Sequence, residues 1–229
     1  METKEITILL VDDHPSILRD AVNSLSKYKH VKMVTCTKCD EAFTLIKRHQ
    51  NTKPFDVLFT DLSFNNNSQQ QIKSGEELIN QIKKETIPIK IGVITSHEEI
   101  NRIDSVLQNQ NPDAYILKSE FFSDELYVAI TTMLNNRIFY SQKVHLAINK
   151  KMRIKYKFDK VAISILKEFV LVDNIQNLVG IILKPDGSIF KKRSIEAKLN
   201  QMRTDLNVRN NTQLIIKAIQ LGIIDSPEL

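Results

Sequence analysis

Three carboxylates, a hydroxyl and an amine stand at the ends of short apolar runs. Asp12 and Asp13 follow Ile6-Thr7-Ile8-Leu9-Leu10-Val11, and Asp61 closes Phe55-Asp56-Val57-Leu58-Phe59-Thr60. Thr95 ends the run that begins at Ile89, and Lys118 follows Ala114-Tyr115-Ile116-Leu117. Continuous apolar runs of this length read as buried parallel strands, and open α/β sheets place their chemistry at the carboxyl ends of such strands. Each polar residue alone reads equally well as the start of a turn. Their joint placement is what points to a site. Three carboxylates brought together repel and raise one another's pKa values unless a cation sits among them. Hard oxygen donors suit Mg²⁺ better than zinc. A metal, an amine and a hydroxyl around Asp61 make a site that can accept a phosphoryl group. The metal and Lys118 neutralise charge on the phosphoryl oxygens, Thr95 donates a hydrogen bond, and Asp61 is the nucleophile that becomes an acyl phosphate. His14, beside the acids, reads as a structural or solvent-facing residue, because Mg²⁺ prefers oxygen. Cys36 and Cys39 form C-x-x-C without another redox feature, and two further zinc ligands cannot be placed.

The elements that must position these groups alternate. Helical spacing of apolar residues predicts helices from Pro15 to about Tyr28, Asp40 to His49, Gly75 to about Lys84, His97 to Gln108 and Phe122 to Leu134. Strands are expected at Ile6–Val11, Val31–Thr35, Phe55–Asp61, Ile89–Thr95 and Ala114–Leu117. Five strand–helix units imply a doubly wound, five-stranded parallel sheet with helices on both faces. The polar stretch from Ser63 to Ser74 reads as a loop.

Beyond residue 135 the composition changes. Residues 1–140 hold 16 basic and 19 acidic side chains, whereas residues 141–229 hold 16 and 8. A basic second part suits a polyanionic partner. Domains are expected at 1–135 and 159–229, joined by a linker over 136–158 that carries the basic run Lys150–Lys157. The second domain reads as a small all-α domain, with helices over Lys160–Val172, Asn174–Leu183, Lys192–Leu206 and Thr212–Leu221. Lys184-Pro185-Asp186-Gly187-Ser188 is a turn. Off the apolar stripe, the third helix region offers Lys191, Lys192, Arg193, Glu196, Ala197, Lys198, Asn200 and Arg203. Such side chains after a turn suit a helix that reads DNA. No apolar run approaches the roughly 20 residues that span a bilayer. The sequence predicts a cytoplasmic protein without a signal peptide or membrane segment.

The first 135 residues resemble the receiver domain of two-component response regulators. The matching pieces are Leu9-Leu10-Val11-Asp12-Asp13-His14-Pro15, Leu58-Phe59-Thr60-Asp61-Leu62, Val93-Ile94-Thr95-Ser96 and Ala114-Tyr115-Ile116-Leu117-Lys118. The resemblance implies a flavodoxin-like strand order 2-1-3-4-5 and phosphorylation of Asp61 by a sensor histidine kinase. It implies Mg²⁺ held by Asp12, Asp13, Asp61 and the backbone carbonyl of Ser63, with Thr95 and Tyr115 as a switch pair. Two features depart from the family. Gly75 lies fourteen residues past Asp61 rather than about eight, so Asn65–Gln71 looks like an insertion. Ser119 stands where many receivers have Pro.

The tail, Leu206-Asn207-Val208-Arg209-Asn210-Asn211-Thr212-Gln213-Leu214 and Gly222-Ile223-Ile224, resembles the end of LuxR/NarL-type helix-turn-helix domains. By that resemblance the base-facing positions are Glu196, Ala197 and Asn200, and the turn before the helix is longer than the family's. Together the resemblances imply a regulator that dimerises when phosphorylated and binds double-stranded DNA. Dimerisation would use the receiver surface or Leu214, Ile215, Ala218 and Ile219 of the last helix. An enzyme is not expected: a phosphatase built on Asp61 would want a second acid where Ser63 stands. An output domain for RNA or protein is the remaining rival.

Overall fold

A computed structural model describes residues 5–65, 70–119, 122–172, 174–184 and 186–225, without the side chains of 154–156. Part of the expected insertion, residues 66–69, lies outside the described residues. The chain divides into two compact units, the first of residues 1–98 and 102–145 and the second of residues 99–101 and 146–229.

In the first unit the strands are β1 (Ile6–Val11), β2 (Val31–Cys36), β3 (Val57–Thr60), β4 (Lys90–Thr95), β5 (Ala114–Leu117) and β6 (Phe139–Tyr140). The helices are α1 (Pro15–Leu25), α2 (Cys39–His49), α3 (Gly75–Lys84), α4 (Ile100–Gln110) and α5 (Phe122–Leu134). The sheet order is β2-β1-β3-β4-β5-β6, with every pairing parallel. The alternating αβ order dictates this, because parallel neighbours need a crossover and a helix supplies it. β3 and β5 are buried at every position, which is why they read as unbroken apolar runs. Ile8, Leu10, Val57, Phe59, Ile94, Ala114 and Ile116 share a core with Leu18, Ala21 and Leu25 of α1 and Leu126, Ala129, Ile130 and Met133 of α5.

The stretch 136–158, expected as a linker, carries regular structure. β6 adds a sixth strand beyond the five expected. It pairs Phe139 with Ala114 and Tyr140 with Tyr115, and the Ser141 N–H donates to the Tyr115 carbonyl at 3.0 Å. It therefore covers the edge of the strand that leads into Lys118. Helix α6 (Gln142–Lys157) follows and takes up the basic run.

The second unit contains α7 (Lys160–Val172), α8 (Ile175–Leu178), α9 (Lys192–Leu206) and α10 (Asn211–Gln220). Ala162, Ile165, Leu166, Leu178, Ile195, Leu199, Met202, Leu214 and Ala218 form its core. One expectation is corrected: the second helix does not run from Asn174 to Leu183. It ends after Leu178, and Leu183 pairs with Ile189 in an antiparallel bridge. Gly180, at φ +96°, takes a conformation no right-handed helix contains. The last helix also has less apolar surface to spare than expected. Leu214 and Ala218 are buried, and Ile215 and Ile219 pack against the core.

Candidate phosphoryl-acceptor site and basic helix

Register builds the first site. Val11 pairs with Thr60, so Asp12 and Asp61 leave adjacent strands side by side. Thr95 pairs with Leu117, so Lys118 leaves the next pair along. Backbone bonds fix the tips: the Asp61 N–H donates to the Val11 carbonyl at 2.9 Å, and that of Lys118 to the Thr95 carbonyl at 2.7 Å.

Asp12, Asp61, Thr95 and Tyr115 are buried. The Leu62 N–H donates to Asp61 Oδ1 at 2.7 Å, which fixes the carboxylate. Lys118 Nζ lies 2.6 Å from Asp61 Oδ2 and 2.7 Å from Asp12 Oδ2, so the amine bridges two acids. Burial works against the Lys118 charge, but hydrogen bonds to Asp12 and Asp61, and their charges, outweigh it and raise its pKa above the ordinary 10.5. One amine does not balance three carboxylates. Ligand atoms of Asp12, Asp13, His14 and Asp61 all lie within 4.8 Å of one another, a spacing that admits a metal ion. Asp12 Oδ2 meets the Lys118 ammonium and Asp13 Oδ1 the His14 ring, which leaves lone pairs of both carboxylates for a cation. The acids present fit a hard divalent cation.

Gly75 carries the insertion's consequences. A Cβ there would lie 1.8 Å from the Asp61 carbonyl oxygen, so only glycine fits. The Gly75 N–H donates to the Leu62 carbonyl at 3.1 Å, and Ser74 bridges Ser63. Ser74 caps α3 by accepting from the Glu77 N–H. The longer loop is thus pinched at its base, and the glycine returns to Asp61 despite the added residues. The Asn65 N–H donates to Asp13 Oδ2 at 2.8 Å, and those of Gln71 and Ile72 donate to Asp40.

Asp12, Asp13, Asp61 and Lys118 converge, and Thr95 stands at the tip of the neighbouring strand, where its carbonyl accepts from the Lys118 N–H. Thr95 Oγ1 accepts from the His97 N–H at 3.3 Å. Ser63 Oγ pairs with His97 Nε2 at 2.8 Å, a contact the sequence did not suggest. His14 also proved closer to the acids than expected: its Nδ1 is 3.1 Å from Asp12 Oδ1 and 2.8 Å from Asp13 Oδ1. The His14 N–H donates to Asp12 Oδ1 at 2.9 Å, which holds the ring beside the acids. Cys36 and Cys39 are buried, and burial pushes each thiol up to about 12, so neither is a thiolate at neutral pH.

In the second unit, Lys191, Lys192, Arg193, Ala197 and Asn200 are exposed, while Glu196, Lys198 and Arg203 are half-buried. Two of the expected contacts have internal partners. Lys198 donates to Asp159, ahead of α7, and Arg203 donates to Asn200 and to Asn211 at the start of α10. The hydrogen bond from Lys198 outweighs burial and holds the Asp159 carboxyl below its usual range. No helix among the described residues is long and apolar enough to cross a membrane.

The family model for the response regulator receiver domain matches residues 8–131. The response regulator protein VraR of Staphylococcus saprophyticus subsp. saprophyticus is 24% identical over 226 residues, covering 96% of this chain and 99% of that protein. The RcsB response regulator of Salmonella typhimurium superposes with a TM-score of 0.64 at 19% identity, covering 93% of this chain and 98% of that one. A solved complex of the two-component response regulator RcsB with DNA superposes at 0.56, with 19% identity and 95% and 99% of the two chains covered.

Proposed function

Because the chain belongs to the response regulator receiver domain family, we propose that it is a phosphorylation-activated, DNA-binding response regulator that controls transcription. The observation that carries this reading is Asp61: a buried carboxylate, fixed through one oxygen by the Leu62 N–H and facing Lys118 through the other, beside Asp12 and Asp13. The donor is the phosphohistidine of a sensor kinase. A carboxylate oxygen of Asp61 bonds to phosphorus as the P–N bond breaks, and the imidazole leaves with the electron pair. Asp12, Asp13, Asp61 and the Ser63 carbonyl would hold Mg²⁺, which when bound supplies positive charge beside the phosphoryl oxygens. Lys118 stays on the Asp61 side and neutralises a second oxygen. Thr95 gives up the His97 N–H and donates its hydroxyl to the phosphoryl group. Tyr115, with its ring already inside, packs behind the shifted loop.

Residues 1–135 are assigned to the receiver and 159–229 to a LuxR/NarL-type helix-turn-helix domain. The DNA complex of RcsB, whose fold spans both units of this chain, supports that assignment. The amino end of α9, with Lys191, Lys192 and Arg193, meets backbone phosphates, and Glu196, Ala197 and Asn200 face base edges. Lys198 and Arg203 chiefly brace α9 against Asp159 and Asn211. Phosphorylation promotes a dimer that binds two half-sites. The test is affinity for selected duplexes before and after treatment with a small phosphodonor and Mg²⁺. The reading expects tighter binding by the wild type and no change in Asp61→Asn. Equal affinity in every case overturns it. On those duplexes Asn200→Ala should cost about 1–3 kcal/mol on the selected site and little on scrambled DNA.

A further inference from the structure

An ordinary helix-turn-helix joins its two helices through roughly three or four residues. Here residues 179–191 separate α8 from α9. The added chain folds back on itself. Leu183 and Ile189 pair antiparallel, the Lys184 N–H donates to the Ser188 carbonyl at 2.8 Å, and the Gly187 N–H donates to the Lys184 carbonyl at 2.9 Å. The carboxylate of Asp186 is satisfied within the turn by the Ser188 N–H and hydroxyl, at 2.9 and 2.7 Å. The base is anchored: Ile182 and Phe190 are buried in the helical core, and the Phe190 N–H donates to the Ile182 carbonyl. What projects is apolar and basic. Ile181, Leu183 and Ile189 are 48%, 52% and 56% exposed. Lys184, Lys191, Lys192 and Arg193 lie in or just after the same segment and are exposed, against the single, internally bonded Asp186.

Three large aliphatic side chains on one short hairpin and the residues leading into it are not scattered surface residues, and such a patch marks a contact. Its place in the chain says what covers it. Ile189 lies three residues before Lys192, the first residue of α9. A helix that enters the major groove by its amino end brings the preceding segment against the rim of that groove. The cations complement phosphate, and aliphatic side chains suit deoxyribose and the thymine methyl group.

We propose that the hairpin closed by Leu183 and Ile189 is a second DNA-contacting element, which sets Lys184 on a backbone phosphate and Leu183 and Ile189 against the sugar and thymine-methyl edge beside each half-site. The inference rests on α9 reading DNA, and the test separates the two. Full-length protein treated with phosphodonor is footprinted with hydroxyl radicals on its selected duplex, and its affinity is titrated across a salt series. Lys184→Gln and Ile189→Ser both alter exposed side chains, and thermal unfolding checks that each variant is folded. Each should lose protection at the outer edge of the half-site, keep the protection given by α9, and bind about tenfold more weakly. Lys184→Gln should also make the salt slope shallower by about one unit. Unchanged footprint and affinity in both, with Asn200→Ala still weakened, would overturn the hairpin proposal and hand the patch to a protein partner. Loss in the hairpin variants with no loss in Asn200→Ala or Lys192→Ala would support the hairpin and remove α9 as the reader. A wild type that protects no duplex would overturn both.

Discussion

Replacing Gly75 by alanine tests how the strand tip is built. On backbone grounds the change should help: alanine at an ordinary helical position stabilises by about 0.4–1 kcal/mol, through the unfolded chain. The contacts at Gly75 reverse that sign. The added Cβ would sit 1.8 Å from the Asp61 carbonyl oxygen, 2.8 Å from Thr60 Oγ1 and 2.9 Å from the Asp61 carbonyl carbon. Non-bonded atoms of this kind do not approach within 3.0 Å, so the start of α3 or the tip of β3 must move by more than 1 Å. Overpacking against backbone costs about 1–3 kcal/mol, and disturbing the Ser74 cap adds about 1 kcal/mol. Set against the backbone gain, these leave a net loss of about 1–3.5 kcal/mol. A 1 Å misplacement of a reacting group can slow chemistry about 10²-fold, so phosphorylation of Asp61 should slow on that scale. The chain has no tryptophan, so urea unfolding is followed by far-UV circular dichroism. Gly180→Ala is the control. Nothing lies within 4 Å of its added Cβ, but φ is +96°, so it should lose about 1–2 kcal/mol in the second unit and phosphorylate normally. A Gly75→Ala protein as stable as the wild type, phosphorylated at the same rate, would refute the close approach of α3 to Asp61.

Two further predictions concern Lys118. Lys118→Met leaves Asp12 and Asp61 buried without their shared cation and should destabilise the metal-free protein by about 3–5 kcal/mol. Added Mg²⁺ should then raise the unfolding temperature of the variant more than that of the wild type, and equal shifts would contradict the bridging role. The raised pKa of Lys118 also sets a pH window. Its stabilisation is complete below the ordinary 10.5 and is lost as pH rises through the higher folded value. The wild type should therefore lose stability more steeply than Lys118→Met above about pH 10.5, as read from urea midpoints, and parallel curves would contradict it.

The acidic site was legible because its positions are fixed by strand ends. A strand buried on both faces must be a continuous apolar run, so its last residue is marked by the first polar side chain. Asp12, Asp61, Thr95 and Lys118 all stand at such ends, and the parallel register sets those ends side by side. What the residues alone did not show was that Lys118 bridges Asp12 as well as Asp61, because side-chain reach is not encoded in spacing. The hairpin is hidden in the sequence for a different reason. Ile175, Leu178, Val179, Ile181, Ile182 and Leu183 make an apolar run that suits a buried helix or a strand equally. Gly180 decides it by its positive φ. β6 is only two residues long, too short for a periodicity signal, and its pairing comes from the edge β5 left open.

The measurement that tests the account most directly is the intact mass of the protein after incubation with a small phosphodonor. It is made with Mg²⁺ and with EDTA, on the wild type and on Asp61→Asn. The arrangement of Asp12, Asp13, Asp61 and Lys118 predicts a gain of one phosphoryl group by the wild type in Mg²⁺, and none in EDTA or in Asp61→Asn. An equal gain in Asp61→Asn, or one that survives EDTA, would contradict it.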